Sequence, residues 1–213
     1  SFIKISDAWD IANQKIENPI SVAVGIIDTG VDASDGRHPE FQDVILNALS
    51  PELLKDSKFG GHGTQVAGII GANNKSFPDP AKYEFPQMNG ILSGVHKLDY
   101  RLELGKKPTS ALTLYTLAST IDGLSRRGIK IINMSFANPI PVFSLTAYPL
   151  YSKLFSKKSD ILFIVPAGQL TVFGYDFPAV DAELISPANF GDNFANVITV
   201  GATDITPGAE DKR

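Results

Sequence analysis

Short apolar runs of strand length recur along the chain. Val22–Ile27 and Ile161–Val165 are apolar throughout and rich in β-branched residues. Such runs are typical of strands that are buried on both faces of a parallel sheet. Ile129–Ala137 predicts a further strand that leads into a turn, whereas Leu98–Leu104 alternates apolar and polar residues. This alternation predicts a strand with one face buried and one face exposed.

Four other segments predict helices. Ser6–Asn13 begins with an N-cap serine, and a second helix begins near His62. A third helix is predicted from its N-cap Ser110 to Gly128, and a fourth has Pro149 in its first turn. Helices and strands therefore alternate. We predict an α/β fold with three layers, in which helices cover both faces of a mainly parallel, doubly wound sheet.

Composition narrows the class of protein. A chain of 213 residues is long enough for a single α/β domain over residues 1–213. No apolar run approaches the roughly 18 residues that span a bilayer, and the net charge of −4 comes without a basic patch. We expect neither membrane nor nucleic acid as a partner. The sequence has no cysteine, which excludes disulfides and a cysteine nucleophile.

The first candidate for chemistry is Asp28, which ends the first buried strand and begins Asp28-Thr29-Gly30. Open α/β sheets bind ligands at the carboxyl ends of their strands, although an aspartate there also serves simply to form a turn. Aspartic proteases use the same tripeptide but need two carboxylates that share a proton. A second Asp-Thr-Gly or Asp-Ser-Gly does not occur in the sequence, so that class is disfavoured.

The second candidate is His62, which is surrounded by Gly60, Gly61 and Gly63 at the predicted start of a helix. A single histidine is more often structural than catalytic. Here the flanking glycines allow the backbone to turn and to approach a substrate closely. His38 lies in a predicted loop, directly before Pro39, and is interpreted as a structural or surface residue.

Two motifs follow one another along the chain: Val24–Asp32, followed by His38-Pro39, and Gly61–Gly68. In this order they resemble the subtilisin-like serine proteases. The resemblance implies an endopeptidase that cleaves internal peptide bonds of a polypeptide substrate. It also implies that His62 is the general base and that Asp28 orients its imidazole ring. The sequence leaves the compartment open, and the resemblance favours a secreted or cell-envelope location.

Further segments extend the resemblance to about Asp204. Ile129–Ala137 resembles the family's Ile-Asn-Met-Ser-Leu-Gly segment. By this resemblance, the substrate main chain is bound as an added strand between two groups of residues: Ser135, Phe136 and Ala137 on one side, and Leu104 and Gly105 on the other. Ala137 replaces a glycine of the family, which adds a methyl group where the substrate passes.

Pro166-Ala167-Gly168-Gln169 stands where the family has Ala-Gly-Asn. The resemblance assigns Gly168 to substrate binding and makes Gln169 a candidate oxyanion donor in place of asparagine. Ser186-Pro187 matches a family position at which the peptide bond is commonly cis.

The nucleophile is the missing part of this pattern. The family's Gly-Thr-Ser-Met-Ala segment does not occur in these 213 residues. The serines of the chain lack the glycine-flanked helix entry that exposes a nucleophile; we considered Ser93, Ser135, Ser144 and Ser186. We therefore expect a missing C-terminal portion to supply the serine, and the chain alone to be inactive.

We expect no metal or other cofactor. The predicted loop over residues 72–96 contains Asn73 and Asn74 as possible calcium ligands but few acidic residues, whereas Ca²⁺ takes about six to eight oxygen ligands. The N-terminus lacks the apolar core of a signal peptide, so such a peptide is either absent or already removed.

Two other functions stay open. The absent serine, Gln169 and Ala137 are compatible with a catalytically inactive protein that binds peptides. A nucleotide-binding α/β domain is also conceivable from the fold class, but neither a Gly-x-Gly-x-x-Gly turn nor a Walker lysine loop follows any predicted strand.

Overall fold

A computed structural model describes residues 5–33, 39–41, 43–56, 61–73, 89–107, 114–136, 138–139, 144–168, 171–172, 175–176 and 182–202. Within these ranges the helices are α1 (Ile5–Lys15), α2 (His62–Gly71), α3 (Leu114–Arg126) and α4 (Ser144–Lys157). The strands of the same ranges are β1 (Ile20–Asp28), β2 (Ile45–Ala48), β3 (Leu98–Lys106), β4 (Ile131–Asn133), β5 (Asn138–Pro139), β6 (Leu162–Pro166), β7 (Thr171–Val172), β8 (Tyr175–Asp176), β9 (Ile185–Ser186) and β10 (Val197–Val200).

Six of these strands form the central sheet, in the order β10-β6-β4-β1-β3-β2. Every neighbouring pair is parallel, and Val24 of β1 lies opposite Leu102 of β3 and Ile131 of β4. The predicted parallel α/β sheet is therefore confirmed. The direction in which the chain adds strands reverses at β1, and such a reversal opens a crevice at the carboxyl ends of the strands. Asp28 is the last residue of β1 and lies at this edge.

Helices pack on both faces of the sheet, as predicted. Ile27 belongs to the apolar cluster that includes buried side chains of α3 and α4, whereas Val24 and Ile26 belong to the cluster that includes α2. Successive side chains of a strand point to opposite faces. Asp28 therefore shares the face of Val24 and Ile26, which is the face covered by α2.

β3 departs from its predicted half-buried pattern at one residue. Tyr100, Leu102 and Leu104 are buried and Asp99 is exposed, as expected, but Glu103 is only 3% exposed. Its carboxylate accepts hydrogen bonds from three side chains: Asn47 Nδ2 at 2.8 Å, Arg127 Nη1 at 2.8 Å and Arg101 Nε at 3.3 Å. These partners compensate for the loss of water around a buried charge.

The ends of α3 and α4 test the helix predictions. Gly128 follows α3 with a φ of +80°, a conformation that suits glycine at a helix C-terminus, so the predicted end is confirmed. Ser110, the predicted N-cap, lies outside the described residues. α4 begins at Ser144, so Pro149 lies inside the helix and not in its first turn as predicted. Pro149 is exposed, and its ring therefore does not interrupt the packing of the helix on the sheet.

Smaller features complete the described chain. The predicted loop over residues 72–96 contains a short 3-10 helix, Ile91–Gly94, while residues 74–88 lie outside the described ranges. The Ser186–Pro187 peptide bond is cis, as the resemblance implies. Among the described helices, none has both the length and the apolar character that crossing a membrane requires.

Candidate active site

Asp28 and His62 meet at the carboxyl edge of the sheet. Nδ1 of His62 lies 2.9 Å from Oδ1 and 3.0 Å from Oδ2 of Asp28. The Asp28 side chain is 1% exposed and the His62 side chain 42% exposed. The carboxylate also accepts a hydrogen bond from the Thr29 backbone N–H at 2.7 Å. A buried acceptor thus faces one ring nitrogen, while the ring itself remains open to solvent.

This contact sets the chemistry that the ring can perform. A carboxylate can only accept a hydrogen bond, so it favours the tautomer in which Nδ1 carries the proton. In that tautomer Nε2 has a free lone pair and lies on the side of the ring away from Asp28. A neutral histidine in this state can take a proton at Nε2, and the adjacent carboxylate stabilises the imidazolium that forms.

His62 is placed by the first turn of α2. The residue before it, Gly61, adopts a left-handed conformation with a φ of +75°, which glycine accepts without steric cost. The next backbone N–H, that of Gly63, donates to Thr29 Oγ1 at 2.9 Å. Thr29 directly follows Asp28, so one residue contacts both the carboxylate and the histidine helix.

A glycine pair brings these two segments into contact. A methyl group on Gly63 would overlap the carbonyl oxygen of Gly30 and lie 3.0 Å from Thr29 Oγ1. Gly63 therefore faces the loop that follows β1. The sequence-based interpretation that this glycine approaches the substrate is corrected: its small size lets α2 reach the end of β1.

A cleft of about 580 Å³ opens beside the histidine. Three of its lining residues were predicted from the sequence to bind the substrate: Ser135, Phe136 and Gly168. Its remaining walls are formed by His62 and by Lys107, Pro166, Val200, Gly201 and Ala202. The strands β6 and β10 end at this cleft, and Ser135 and Phe136 follow β4, as expected for a ligand site at a strand reversal.

The other predicted site residues lie elsewhere. Leu104 and Gly105 are buried within β3, where they pair with Ile26 and Ile27 of β1. Neither residue is among the described residues that line the cleft, and their predicted contact with the substrate main chain stays a prediction. Ala137 and Gln169 lie outside the described residues. Ser135 is half-buried, and its Oγ accepts a hydrogen bond from Asn133 Nδ2 at 2.8 Å.

Sequence reasoning missed several residues that support the site. Thr29, Asp56 and Thr64 form side-chain hydrogen bonds around the start of α2. Thr29 and Thr64 lie within the two motifs that carry the resemblance, and threonine and aspartate readily bind backbone N–H groups at helix starts. Val200–Ala202 also line the cleft; they lie in a segment that resembles the family but were not assigned to the site.

A metal site does not emerge from the described part of the chain. Among those residues no group of three or more histidine, aspartate or glutamate side chains is arranged to hold an ion. Asn73, one of the two possible calcium ligands, is 8% exposed, and its backbone N–H donates to the Glu40 carbonyl at 2.8 Å. Asn74 lies outside the described residues.

A family model described as the subtilase family matches residues 20–210. The chain belongs to the subtilase family. A relative in Saccharomyces cerevisiae, the subtilase-type proteinase RRT12, is 28% identical over 198 residues, which cover 84% of this chain and 31% of that protein. The family match and the parallel sheet thus agree with the resemblance seen in the sequence.

Solved structures share the subtilase fold at low sequence identity. The prenylagaramide maturation protease PagA matches with a TM-score of 0.58 at 20% identity, over 92% of this chain and 59% of that one. MycP1 with its N-terminal propeptide removed matches with a TM-score of 0.57 at 21% identity, over 95% of this chain and 62% of that one. The chain therefore spans 31% of the yeast relative and about three fifths of these two proteases.

Proposed function

We propose that this chain carries the aspartate and histidine of a serine endopeptidase. The observation that supports this most strongly is the 2.9 Å contact between buried Asp28 and half-exposed His62, at the edge of a cleft of about 580 Å³. In a subtilase, this is the pair that a serine hydrolase needs beside its nucleophile. The proposed substrate is a polypeptide, and the proposed reaction uses no metal ion or cofactor.

In the proposed mechanism, Nε2 of His62 removes the proton from a serine hydroxyl as its oxygen attacks the scissile carbonyl carbon. The proton then passes from Nε2 to the leaving amine, and an acyl-enzyme remains. A water molecule, deprotonated by His62 in the same way, then attacks the acyl carbon. The bond to the serine oxygen breaks, Nε2 returns the proton to that oxygen, and the acid product leaves. Asp28 stabilises the imidazolium through its bond to Nδ1.

The cleft supplies the proposed substrate contacts. Ser135, Phe136 and Gly168 border it, and we propose that backbone groups at Ser135 and Phe136 bind an extended substrate segment. Ala137, the next residue along, would narrow this site by one methyl group. Gln169 is the proposed side-chain donor to the oxyanion, with an arm one methylene longer than that of the family's asparagine.

We propose that the nucleophilic serine lies outside these 213 residues. Two serines of the described chain donate to nearby backbone carbonyls: Ser93 Oγ to the Gly90 carbonyl at 2.7 Å and Ser156 Oγ to the Ser152 carbonyl at 2.8 Å. Ser135 does not stand at the start of a described helix, so it lacks the helix entry that exposes a nucleophile. The matched proteases also extend well beyond the span that this chain covers.

A second candidate is a peptide-binding protein without catalysis. Gln169 replaces the asparagine that donates to the oxyanion in the family, and loss of such a donor reduces turnover about 10²-fold to 10³-fold. In this case the same cleft would bind an extended peptide and release it unchanged.

The decisive experiment uses the complete protein that contains this chain. A fluorophosphonate probe is expected to label it covalently, and a fluorogenic peptide library to be cleaved. Asp28→Asn should lower kcat on the order of 10⁴-fold, because the wrong histidine tautomer results. His62→Ala should lower kcat by about 10⁶-fold, because no general base remains.

His96→Ala and Asp99→Asn are matched controls, since both side chains are exposed and neither lines the cleft. Both should retain activity. A complete protein that binds peptides but is neither labelled nor active would favour the second candidate. If the 213-residue chain alone shows turnover that His62→Ala abolishes, the proposal that its serine lies elsewhere is wrong.

A further inference from the structure

We propose that Asp56 is a positioning residue for His62. It caps the helix that carries the histidine and links the start of this helix to the loop that directly follows Asp28. The predicted effect on turnover rests on the proposed protease function, whereas the predicted effect on the geometry of the Asp28–His62 pair does not.

The start of α2 lacks a cap of its own. The first backbone N–H groups of a helix have no partner within the helix, and a serine, threonine or aspartate at the N-cap usually binds one of them. Here the N-cap is Gly61, which has no side chain and forms no side-chain cap hydrogen bond. Residues from elsewhere in the chain must therefore bind the N–H groups of Gly63 and Thr64.

Asp56 binds the second of these two groups. Its Oδ2 accepts hydrogen bonds from the Thr64 backbone N–H and from Thr64 Oγ1, both at 2.8 Å. The same oxygen lies 3.8 Å from the place where a Cβ atom on Gly61 would stand, so the carboxylate sits beside the turn that leads into His62. A negative charge in this place also interacts favourably with the positive end of the helix dipole.

The Thr64 hydroxyl transmits this contact to the loop after β1. While Oγ1 donates its proton to Asp56, it accepts a hydrogen bond from the Asp32 backbone N–H at 3.0 Å. Thr29 Oγ1, in the same loop, accepts from the Gly63 N–H at 2.9 Å. Two hydrogen-bonded links therefore join the loop after Asp28 to the first turn of α2. Asp56 holds one of them in place by fixing the orientation of the Thr64 hydroxyl.

The other carboxylate oxygen argues against a purely stabilising role. Within the described chain, Asp56 Oδ1 is buried without a hydrogen-bond partner. A buried acceptor that remains unpaired lowers stability. This cost offsets the stabilisation that the hydrogen bonds of Oδ2 provide. The carboxylate therefore contributes more to the geometry of the helix start than to the stability of the fold.

The test uses the complete protein and two measurements. The proton on His62 Nδ1, hydrogen-bonded to a carboxylate, should give a low-field ¹H resonance that is absent in His62→Ala. Asp56→Ala should shift or broaden this resonance. It should also lower kcat about 10-fold to 100-fold, as expected when a catalytic group is misplaced. KM should change little, because Ser135, Phe136 and Gly168 belong to other segments.

Asp56→Asn retains an oxygen that can accept from Thr64 and should keep the resonance and most of the activity. Val66→Ala is the matched control for stability. Val66 packs against the core from the same helix but lies outside the hydrogen-bonded links, so this variant should lower Tm and leave both measurements unchanged.

The outcomes separate the two proposals. A folded Asp56→Ala protein with an unchanged resonance would overturn the positioning role, whether or not the protein cleaves peptides. A displaced resonance in a protein without protease activity would support that role and contradict the proposed function. If Asp56→Ala does not fold, Thr64→Val decides, because it removes the linking hydroxyl: a displaced resonance supports the proposal and an unchanged one overturns it.

Discussion

The two faces of the central sheet are packed by different means. On the face covered by α3 and α4, large side chains fill the space, and the rings of Phe155 and Phe163 lie 4.9 Å apart. On the face covered by α2, every buried residue of the helix is glycine or alanine. These residues are Gly63, Ala67, Gly68 and Gly71.

This difference separates stability from positioning. Apolar packing is not directional, and its contribution depends on how much surface is buried. The contacts at the start of α2 are directional, since they join backbone atoms of Gly30 and Gly63 and hydrogen-bond Thr29 to the helix. The α3 and α4 face therefore provides much of the apolar core, while the α2 face determines where His62 stands relative to Asp28.

The largest loss of stability is expected from Phe155→Ala. Phe155 is fully buried and contacts Tyr151, Phe163, Phe190 and Phe194. Its truncation should lower the free energy of unfolding by about 4 kcal/mol, measured by urea denaturation. The His62 Nδ1 proton resonance should stay unchanged, because the cavity forms on the opposite face. A shifted resonance in this variant would show that the two faces are not independent.

Compared with Phe155→Ala, Gly63→Ala should lower the free energy of unfolding less but change the geometry of the Asp28–His62 pair more. The added methyl group meets the Gly30 backbone, which cannot move aside as a flexible side chain can, so we expect a loss of about 2 kcal/mol. The His62 resonance should be displaced. Gly201→Ala is the control, because no atom lies within 4 Å of its added Cβ; if both variants lose equal stability, the close approach of α2 is not the cause.

The smallest effects come from one tyrosine on each face. Tyr100 OH donates to the Gly71 carbonyl at 3.2 Å, so Tyr100→Phe should lower the free energy of unfolding by about 1 kcal/mol. The Tyr151 hydroxyl is buried and, within the described chain, has no hydrogen-bond partner. Tyr151→Phe should therefore cost nothing or stabilise slightly. If urea denaturation showed that Tyr151→Phe lowers the free energy of unfolding more than Tyr100→Phe does, this difference between the faces would be contradicted.

The same pair predicts the response to alkaline pH. Burial raises the pKa of Tyr100 and, more strongly, that of Tyr151. Unfolded tyrosine releases its proton near about pH 10, before the folded protein does. The free energy of unfolding should thus be unaffected by these groups below that pH and should fall above it. Tyr151→Phe should flatten this alkaline decline more than Tyr100→Phe does.

The parts of the site that were predicted depend on short stretches of chain. Asp28 ends an apolar run, and His62 begins a helix between glycines, so their neighbours in sequence are enough to identify them. Glu103 was predicted to face solvent because its own segment alternates. Its burial depends on Arg127 and Asn47, which belong to other segments.

Leu104 and Gly105 carry a role that comes only from the family resemblance. The register of β3 on β1 pairs both residues inside the sheet, and their contact with a substrate stays a prediction. Asp56 was not singled out from the sequence, because its hydrogen bonds to Thr64 depend on the fold and no local pattern predicts them.

The sequence by itself determined the alternation of helices and strands and the location of Asp28 at a strand end and of His62 at a helix start. These features follow from hydrophobic period and residue type, which act over a few neighbouring residues. The tertiary structure decided the strand order that reverses at β1, the face on which Asp28 meets α2, and the walls of the cleft. Such features depend on contacts between segments far apart in the chain, whose energies appear only once the sheet has brought them together.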